Sequence, residues 1–577
     1  MIRSLHGMRT VRLIAADLVA VAVMALATPV RAGGPAGGGS SIVAAPGPCL
    51  DDAVRDRLLA APEPELSGVL RPSDTFGLLS PSWVLFAWPL AQSLDHGVEI
   101  SNYVDHDATA AIKDHMGLPH SYNGHNGTDI AQWGFRDMDR GLPIVSASAG
   151  MVTQVAWSNW DRSIGPPYLN PNYVVVRHAD LTEAWYFHLR TNSAAVNVGE
   201  SVQAGTFLGM VGSSGMSTGA HLHFEAGART PGWVPRDPWN GPNNPLSSLW
   251  QVQEPYQGSR PLQVFDIHVF TQQGAGGNLN AITDRQYKEG FTRVAVFGQN
   301  EPYLALNIAV QGNAGDTYRA EILRPNGTLW SWADGTLGGK VNMGYYYWYW
   351  TWSANAPVAG TWTARVKINN VVVKSIPFTV GATTQYQPRF WPKAGRSFRM
   401  GSGVAQKDTL RVQGWSGPVT WSLSWRPAFV TLADSVVTVA ATSTQSFRSL
   451  TFQAIATDGA GRRDTMWYHV VDPAKPIAAT TGVADGPPHD DAPGLALVAT
   501  GGSPDAVRLH VSLPEAGAAR VTIFSADGRL VATPLDASLP AGRSDVTWQA
   551  GHVASGIYFA RLEAGGAART LRIVHTR

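Results

Sequence analysis

Along most of this chain, apolar residues recur at every second position in short runs that end in turn residues, the pattern of half-buried strands. Thr361-Trp362-Thr363-Ala364-Arg365-Val366-Lys367-Ile368 alternates in this way, and so do Ala519 to Phe524 and Gly556 to Leu562. Gly417 to Leu423 and Leu450 to Ala456 also read as strands. Between such runs lie turn signals: Arg324-Pro325-Asn326-Gly327, Asn369-Asn370 and Ala526-Asp527-Gly528-Arg529. The Asp-Gly of the last, set between alternating runs, is a strong hairpin signal. Tyr345-Tyr346-Tyr347-Trp348-Tyr349-Trp350-Thr351-Trp352 is aromatic on both faces, which fits either a strand buried between two layers or a platform for sugars. Long helical heptads are absent, and one short helix is expected around Asp51 to Ala61.

The N-terminus follows a different pattern. Arg3, Arg9 and Arg12 precede an apolar run from Leu13 to Ala27, with small residues at Ala25, Ala27 and Ala32. A basic end, an apolar middle and a small-residue exit read as a secretory signal peptide. Nothing later offers ~20 consecutive apolar residues, so no transmembrane anchor is expected after signal removal. The expected location is secreted, extracellular or cell-surface, with the periplasm crossed in transit.

Length and composition sharpen this picture. A chain of 577 residues predicts about three to five domains. Gly 60, Pro 38, Trp 21 and only 15% charged residues point to strand-and-turn modules, so the expected fold class is mostly β and multidomain. A net charge of +1 gives no whole-chain attraction to nucleic acid. Cys49 is the single cysteine, so no intramolecular disulfide can form in this exported chain.

The expected organisation is a signal peptide at 1–32, a leader, linker or pro-segment at 33–78 and a first domain at 79–250. β-sandwich modules follow at 258–381 and 384–472, then a linker at 473–495 and a C-terminal β domain at 496–577. The leader is expected either to be a simple linker or to fold against a catalytic cleft.

The chemistry concentrates in the first domain. In His221-Leu222-His223-Phe224-Glu225 the two histidines are two residues apart, so in a strand both imidazoles leave the same face while Leu222 and Phe224 pack behind. The run Gly212-Ser213-Ser214-Gly215-Met216-Ser217-Thr218-Gly219 precedes them. Upstream, His125-Asn126-Gly127-Thr128-Asp129 sets a histidine and a carboxylate at a spacing that can reach one metal, and its glycines argue for a loop entering a strand. Between them, Trp185-Tyr186-Phe187-His188-Leu189 reads as a strand, with His188 facing opposite to Phe187 and Leu189. Zinc accepts imidazole nitrogen and carboxylate oxygen, and a catalytic site keeps three protein ligands with one position open. Four histidines and one aspartate therefore leave two groups for chemistry. A second cluster, Asp105-His106-Asp107 and Asp114-His115 flanked by His96 and His120, reads as a solvated loop or as a second metal site.

The order His-x-Gly-x-Asp, Tyr-x-His-Leu, then Gly-x-x-Gly-x-Ser-Thr-Gly-x-His-x-His-Phe-Glu resembles the lysostaphin-type (LytM-like) zinc metalloendopeptidases. The likeness runs from about Pro89 to Pro245. It includes Pro143-Ile144-Val145-Ser146-Ala147, Gly150-Met151-Val152 and Arg236-Asp237-Pro238. The resemblance implies an antiparallel β-sheet peptidase domain in which His125, Asp129 and His223 bind Zn2+, with His188 and His221 as catalytic histidines beside the open position. It implies peptidoglycan stem or cross-bridge peptides as substrate and Gly-rich proteins as a secondary target. The rival reading is a noncatalytic cell-wall-binding or adhesive surface protein built on a peptidase-like fold.

The C-terminal stretch, with Ala541-Gly542, Trp548, Ser555-Gly556-Ile557-Tyr558-Phe559 and a basic last strand, is similar to type IX secretion sorting domains and to FlgD-like immunoglobulin folds. That resemblance implies the type IX secretion machinery as a partner, the alternative being a plain terminal adhesion module.

Overall fold

The computed structural model describes residues 52–60, 84–91, 98–476 and 496–575, apart from 230–232, 259–261, 280–281, 338–340, 391–395, 402, 414–416, 425–427, 444–447, 504, 514–515, 526–529, 541, 554–555 and 565–566. The expected signal peptide, Cys49, His96, most of the 473–495 linker and the Asp527-Gly528 turn lie outside the described residues. The described chain is mostly strand, as the alternating pattern requires, and it falls into two compact units.

The larger unit carries the His125–Asp129, His188 and His221–Glu225 motifs. Their framework is an antiparallel sheet made of β1 (Val98–Asn102), β2 (Thr128–Gln132), β4 (Gly150–Ala156), β5 (Tyr173–Arg177), β6 (Thr182–Phe187), β7 (Ser201–Val202), β9 (His221–Arg229) and β10 (Trp233–Pro235). Its order is β1-β2-β9-β6-β5-β4-β7, with β10 on the far end of β9. β3 (Pro143–Val145) and β8 (Phe207–Met210) pair separately. Alternation sorts the sheet residues onto two faces. Ile130, Leu222, Phe224, Tyr186, Val174 and Val176 turn into the main apolar core with Phe86, Trp239 and Trp250. Val175, Trp185 and Phe187 turn the other way, onto Val54 and Leu58 of the helix α1 (Asp52–Ala60). The helix expected near Asp51 to Ala61 is therefore present and packed on this sheet.

The same unit contains residues 390–476, where Arg396–Arg399, Arg463–Val471, Ser449–Asp458 and Val419–Ser424 form one sheet. Gln406–Thr409, Val436–Val439 and Val430–Ala433 form a second, and Phe398, Val437, Phe452 and Tyr468 fill the space between. These residues dock on connection 194–200 of the eight-stranded sheet. Arg399 donates to the Ala194 carbonyl and to Asn197 Oδ1 (2.9 Å), and its guanidinium lies 4.9 Å from the Trp157 ring. Arg448 donates to the Ala195 carbonyl and to Glu200. Ala195, Phe207, Met210 and Val471 make a small apolar contact, and His469 meets the Phe207 ring edge-on at 5.3 Å.

The C-terminal stretch holds two sheets, Ala496–Ser503, Ala506–Leu513 and Gly542–Gln549 on one side and Leu530–Leu539, Gly517–Ser525, Gly556–Ala564 and Ala567–His575 on the other. Val507, Leu509, Ile523, Trp548 and Leu562 are buried between them.

The smaller unit spans 259–389 among the described residues. It is a sandwich of a three-stranded and a six-stranded sheet, and the aromatic run lies in the strand Val341–Thr351 of the former. Tyr346 and Trp348 face the core against Tyr318, whereas Tyr345 and Tyr347 turn outward beneath Tyr287, with the Tyr347 hydroxyl donating to the Leu279 carbonyl at 2.7 Å. Tyr345 to Trp348 are thus buried on both faces, which favours the packing alternative over an open sugar platform.

Candidate metal centre

Register brings the expected ligands together. On β2 and β9, Asp129 stands directly opposite His223, and across β6 and β9 His223 stands opposite Phe187. His125 sits in the loop just before β2, as its glycines require. One ligand atom from each of His125, Asp129 and His223 lies within 4.8 Å of the other two, and all three residues are buried. His125 Nε2 is 3.2 Å from Asp129 Oδ1 and 3.2 Å from His223 Nδ1, and His223 Nδ1 is 2.9 Å from Asp129 Oδ1.

Each of the three is held from behind, as metal ligands generally are. His125 Nδ1 donates to the Tyr103 carbonyl at 2.7 Å, which turns Nε2 toward the centre. Asn102, paired with Asp129 across β1 and β2, donates to Asp129 Oδ2 at 3.0 Å and leaves Oδ1 to the cluster. His223 Nε2 lies 3.3 Å from the buried Glu225 carboxylate, so Nδ1 is the nitrogen turned toward the cluster. Two nitrogens and one carboxylate oxygen, preoriented and buried, fit zinc as a donor set. Burial opposes ionisation of Asp129, but the surrounding His125, His221 and His223 overcome it and hold the carboxyl well below the usual range. Burial likewise opposes ionisation of Glu225, and His223 and Arg55 outweigh it in the same direction.

Gly127 is required by this packing. A Cβ there would stand 2.6 Å from His223 Cε1 and 2.9 Å from the Phe224 carbonyl oxygen, closer than any side chain tolerates.

His188 and His221 lie beside the cluster, their rings 4.4 Å apart, with His221 Nε2 3.6 Å from Asp129 Oδ1. His221 Nδ1 donates to the Gly219 carbonyl at 2.8 Å and His188 Nδ1 to the Ser214 carbonyl at 2.6 Å. Both carbonyl acceptors come from the glycine-rich run, and both fix the tautomer with Nε2 as the lone-pair nitrogen. The backbone at His188 differs from the strand expected there. β6 ends at Phe187, and His188 takes φ 67°, a left-handed conformation that costs a non-glycine residue of order 1–3 kcal/mol and clusters at functional sites.

The second cluster is a hydrogen-bonded loop. Asp105 accepts from the backbone of Asp107, Lys113 and Gly124, Asp107 from Thr109, and Asp114 from Met116, Leu118 and the Tyr256 hydroxyl. His106 pairs with Asp237 at 2.7 Å, while His115 and His120 are packed among Tyr103, Trp239 and Tyr256. Among the described residues, the grouping able to hold a metal ion is the one at His125. Sequence reading did not single out Asn102 or Arg55, which reach the site only through tertiary pairing.

Residues 123–235 match the profile of Peptidase family M23, so the peptidase domain expected from the motifs is an M23 domain. Lysostaphin of Staphylococcus simulans is 33% identical over 90 residues, 15% of this chain and 16% of that protein. The peptidoglycan DD-endopeptidase ShyA of Vibrio cholerae is 34% identical over 101 residues, 18% of this chain and 20% of that protein. The glycyl-glycine endopeptidase ALE-1 of Staphylococcus capitis is 33% identical over 90 residues, 15% and 22% of the two chains. The chain thus matches about a fifth of the length of these relatives. Among solved structures, the catalytic domain of lysostaphin from Staphylococcus simulans is similar at 24% identity with a TM-score of 0.16, over 24% of this chain and 85% of that one.

Proposed function

We propose that this protein is a secreted zinc metalloendopeptidase that hydrolyses peptide bonds in the stem or cross-bridge peptides of peptidoglycan. The observation that carries the reading is a buried two-histidine, one-aspartate donor set with two histidines at its side whose Nδ1 atoms are engaged by backbone carbonyls. The relatives named as peptidoglycan and glycyl-glycine endopeptidases support the substrate class, and Gly-rich proteins follow as a secondary target.

His125 Nε2, Asp129 Oδ1 and His223 Nδ1 would hold the ion. When bound, zinc supplies a Lewis acid that brings the pKa of water toward about 7 and polarises the scissile carbonyl. His221 and His188 both turn Nε2 to the site, so the ring whose Nε2 is unprotonated accepts the proton of the attacking water, while the other, protonated at Nε2, donates to the developing oxyanion. His221 lies beside Asp129 and is the better-placed base. Asn102, the Tyr103 carbonyl and Glu225 keep the ligand atoms aimed at one point, so little reorganisation is needed on binding.

Turbidity of purified cell walls with the full-length protein, with and without chelator, tests this reading. Clearing that stops with chelator and returns with zinc is expected, and mass spectrometry of released muropeptides names the bond. Chelator-insensitive clearing would count against a zinc enzyme, and no clearing with zinc present would favour the noncatalytic wall-binding protein. The C-terminal unit 496–577 is proposed to address the chain to type IX secretion, and undiminished export after its deletion would exclude that role.

A further inference from the structure

We infer that Arg55, carried on α1, is a positioning residue for His223 acting through Glu225, and that the working peptidase unit therefore includes α1. The inference rests on the metallopeptidase reading of the site. α1 lies on the sheet face that bears the ligands. Val54 and Leu58, one helical turn apart, bury themselves on Val175, Trp185 and Phe187. Its far end is tied down as well: Gln154 Nε2 donates to the Leu58 carbonyl at 2.8 Å, and Arg57 Nη2 to Asn170 Oδ1 at 3.2 Å.

Arg55 sits next to Val54 and points along the sheet surface. Its guanidinium grips Glu225 with both arms, Nη1 to Oε1 at 2.7 Å and Nη2 to Oε2 at 3.1 Å, and lies 5.5 Å from the Trp185 ring. Trp185 stacks on Trp233 at 4.0 Å, and Trp233 Nε1 donates to Glu225 Oε1 at 2.5 Å. Three donors thus fix the plane of a carboxylate that is wholly shielded from solvent, and its Oε2 meets His223 Nε2. A bidentate fork defines a plane in a way that a single ammonium cannot. A helix that merely covered apolar surface would bury Val54 and Leu58 without setting a guanidinium against the acid that orients a ligand. Removing Arg55 leaves a buried carboxylate short of its cation, and it must rotate, take up a proton or admit water. Any of these loosens the ring of His223.

The test uses full-length protein stripped of metal, with zinc affinity read by competition against a chromogenic chelator. Arg55→Met is expected to weaken zinc binding about 10- to 100-fold, the range found for groups that orient metal ligands, and Arg55→Lys to recover part of that loss. Leu58→Ala loosens α1 without touching the acid, so it should lower the melting temperature of the metal-free protein and leave zinc affinity near wild type. Zinc affinity unchanged in Arg55→Met, or weakened equally in Leu58→Ala, would overturn the positioning role while leaving the peptidase reading intact. A wild-type protein that binds no zinc would overturn both.

Discussion

Asp129 and His223 face each other across β2 and β9, with Asp129 Oδ1 2.9 Å from His223 Nδ1. Strand pairing alone therefore delivers two of the three candidate ligand atoms to one point. A slip of one residue in either strand would send its ligand into the core face, so the fold and the metal site specify the same register.

Replacing Asp129 or His223 by alanine should abolish stoichiometric zinc in the purified protein and lower wall clearing by more than about 100-fold, beyond the effect of losing an outer-sphere partner. Elemental analysis measures the first and turbidity the second. The same analysis of His125→Ala should find no residual ion, because the acids at 105, 107 and 114 are engaged by their own loop.

His188→Gln and His221→Gln are expected to keep their zinc and lose about 10²- to 10⁴-fold in kcat, the span typical of general acid–base groups, with KM little changed. Steady-state kinetics on a cross-bridge peptide, paired with elemental analysis, reads this out. Loss of the ion in either variant would make that histidine a ligand instead.

Gly127→Ala forces a methyl group against the His223 ring and the Phe224 carbonyl, and the carbonyl belongs to the central strand and cannot yield. The expected cost is about 1–3 kcal/mol in urea-induced unfolding, the usual range for overpacking, together with weaker zinc binding. A wild-type unfolding midpoint would mean that the ring moves freely.

His469 supplies a pH dependence. Burial, with Arg190 adding to it, pushes its pKa down to about 3, while an unfolded histidine titrates near 6.5. Below pH 6.5 the unfolded chain binds a proton that the folded protein refuses until about pH 3, so stability contributed by this group falls as pH drops through that window and is level above it. His469→Gln should therefore lose less stability than wild type between pH 7.5 and pH 5, measured by urea midpoints. Parallel curves would show that the histidine is not shielded.

The candidate ligand grouping was legible in the sequence because each motif is local: three residues separate His125 from Asp129, and one separates His221 from His223. What was not legible depends on pairing across distance. Asn102 and Arg55 look like any surface polar residues until β1 and α1 are placed beside β2 and β9. The alternation from Trp185 to Leu189 implied a strand throughout, whereas the backbone reverses at His188, and periodicity carries no record of φ. The aromatic run 345–352 was ambiguous for a related reason: a period of two does not reveal whether Leu279 and Tyr287 will cover the outer side.

The two guanidiniums of Arg399 and Arg448 end on main-chain oxygens of the stretch that follows His188. Cutting the chain after residue 258 would return the Ala194 and Ala195 carbonyls to water and strip Phe207 and Met210 of Val471. In a calorimeter the sheet that carries the His125 grouping and the sandwich at 390–476 should accordingly melt as a single cooperative block, joined by adhesion between surfaces and not by order along the polypeptide.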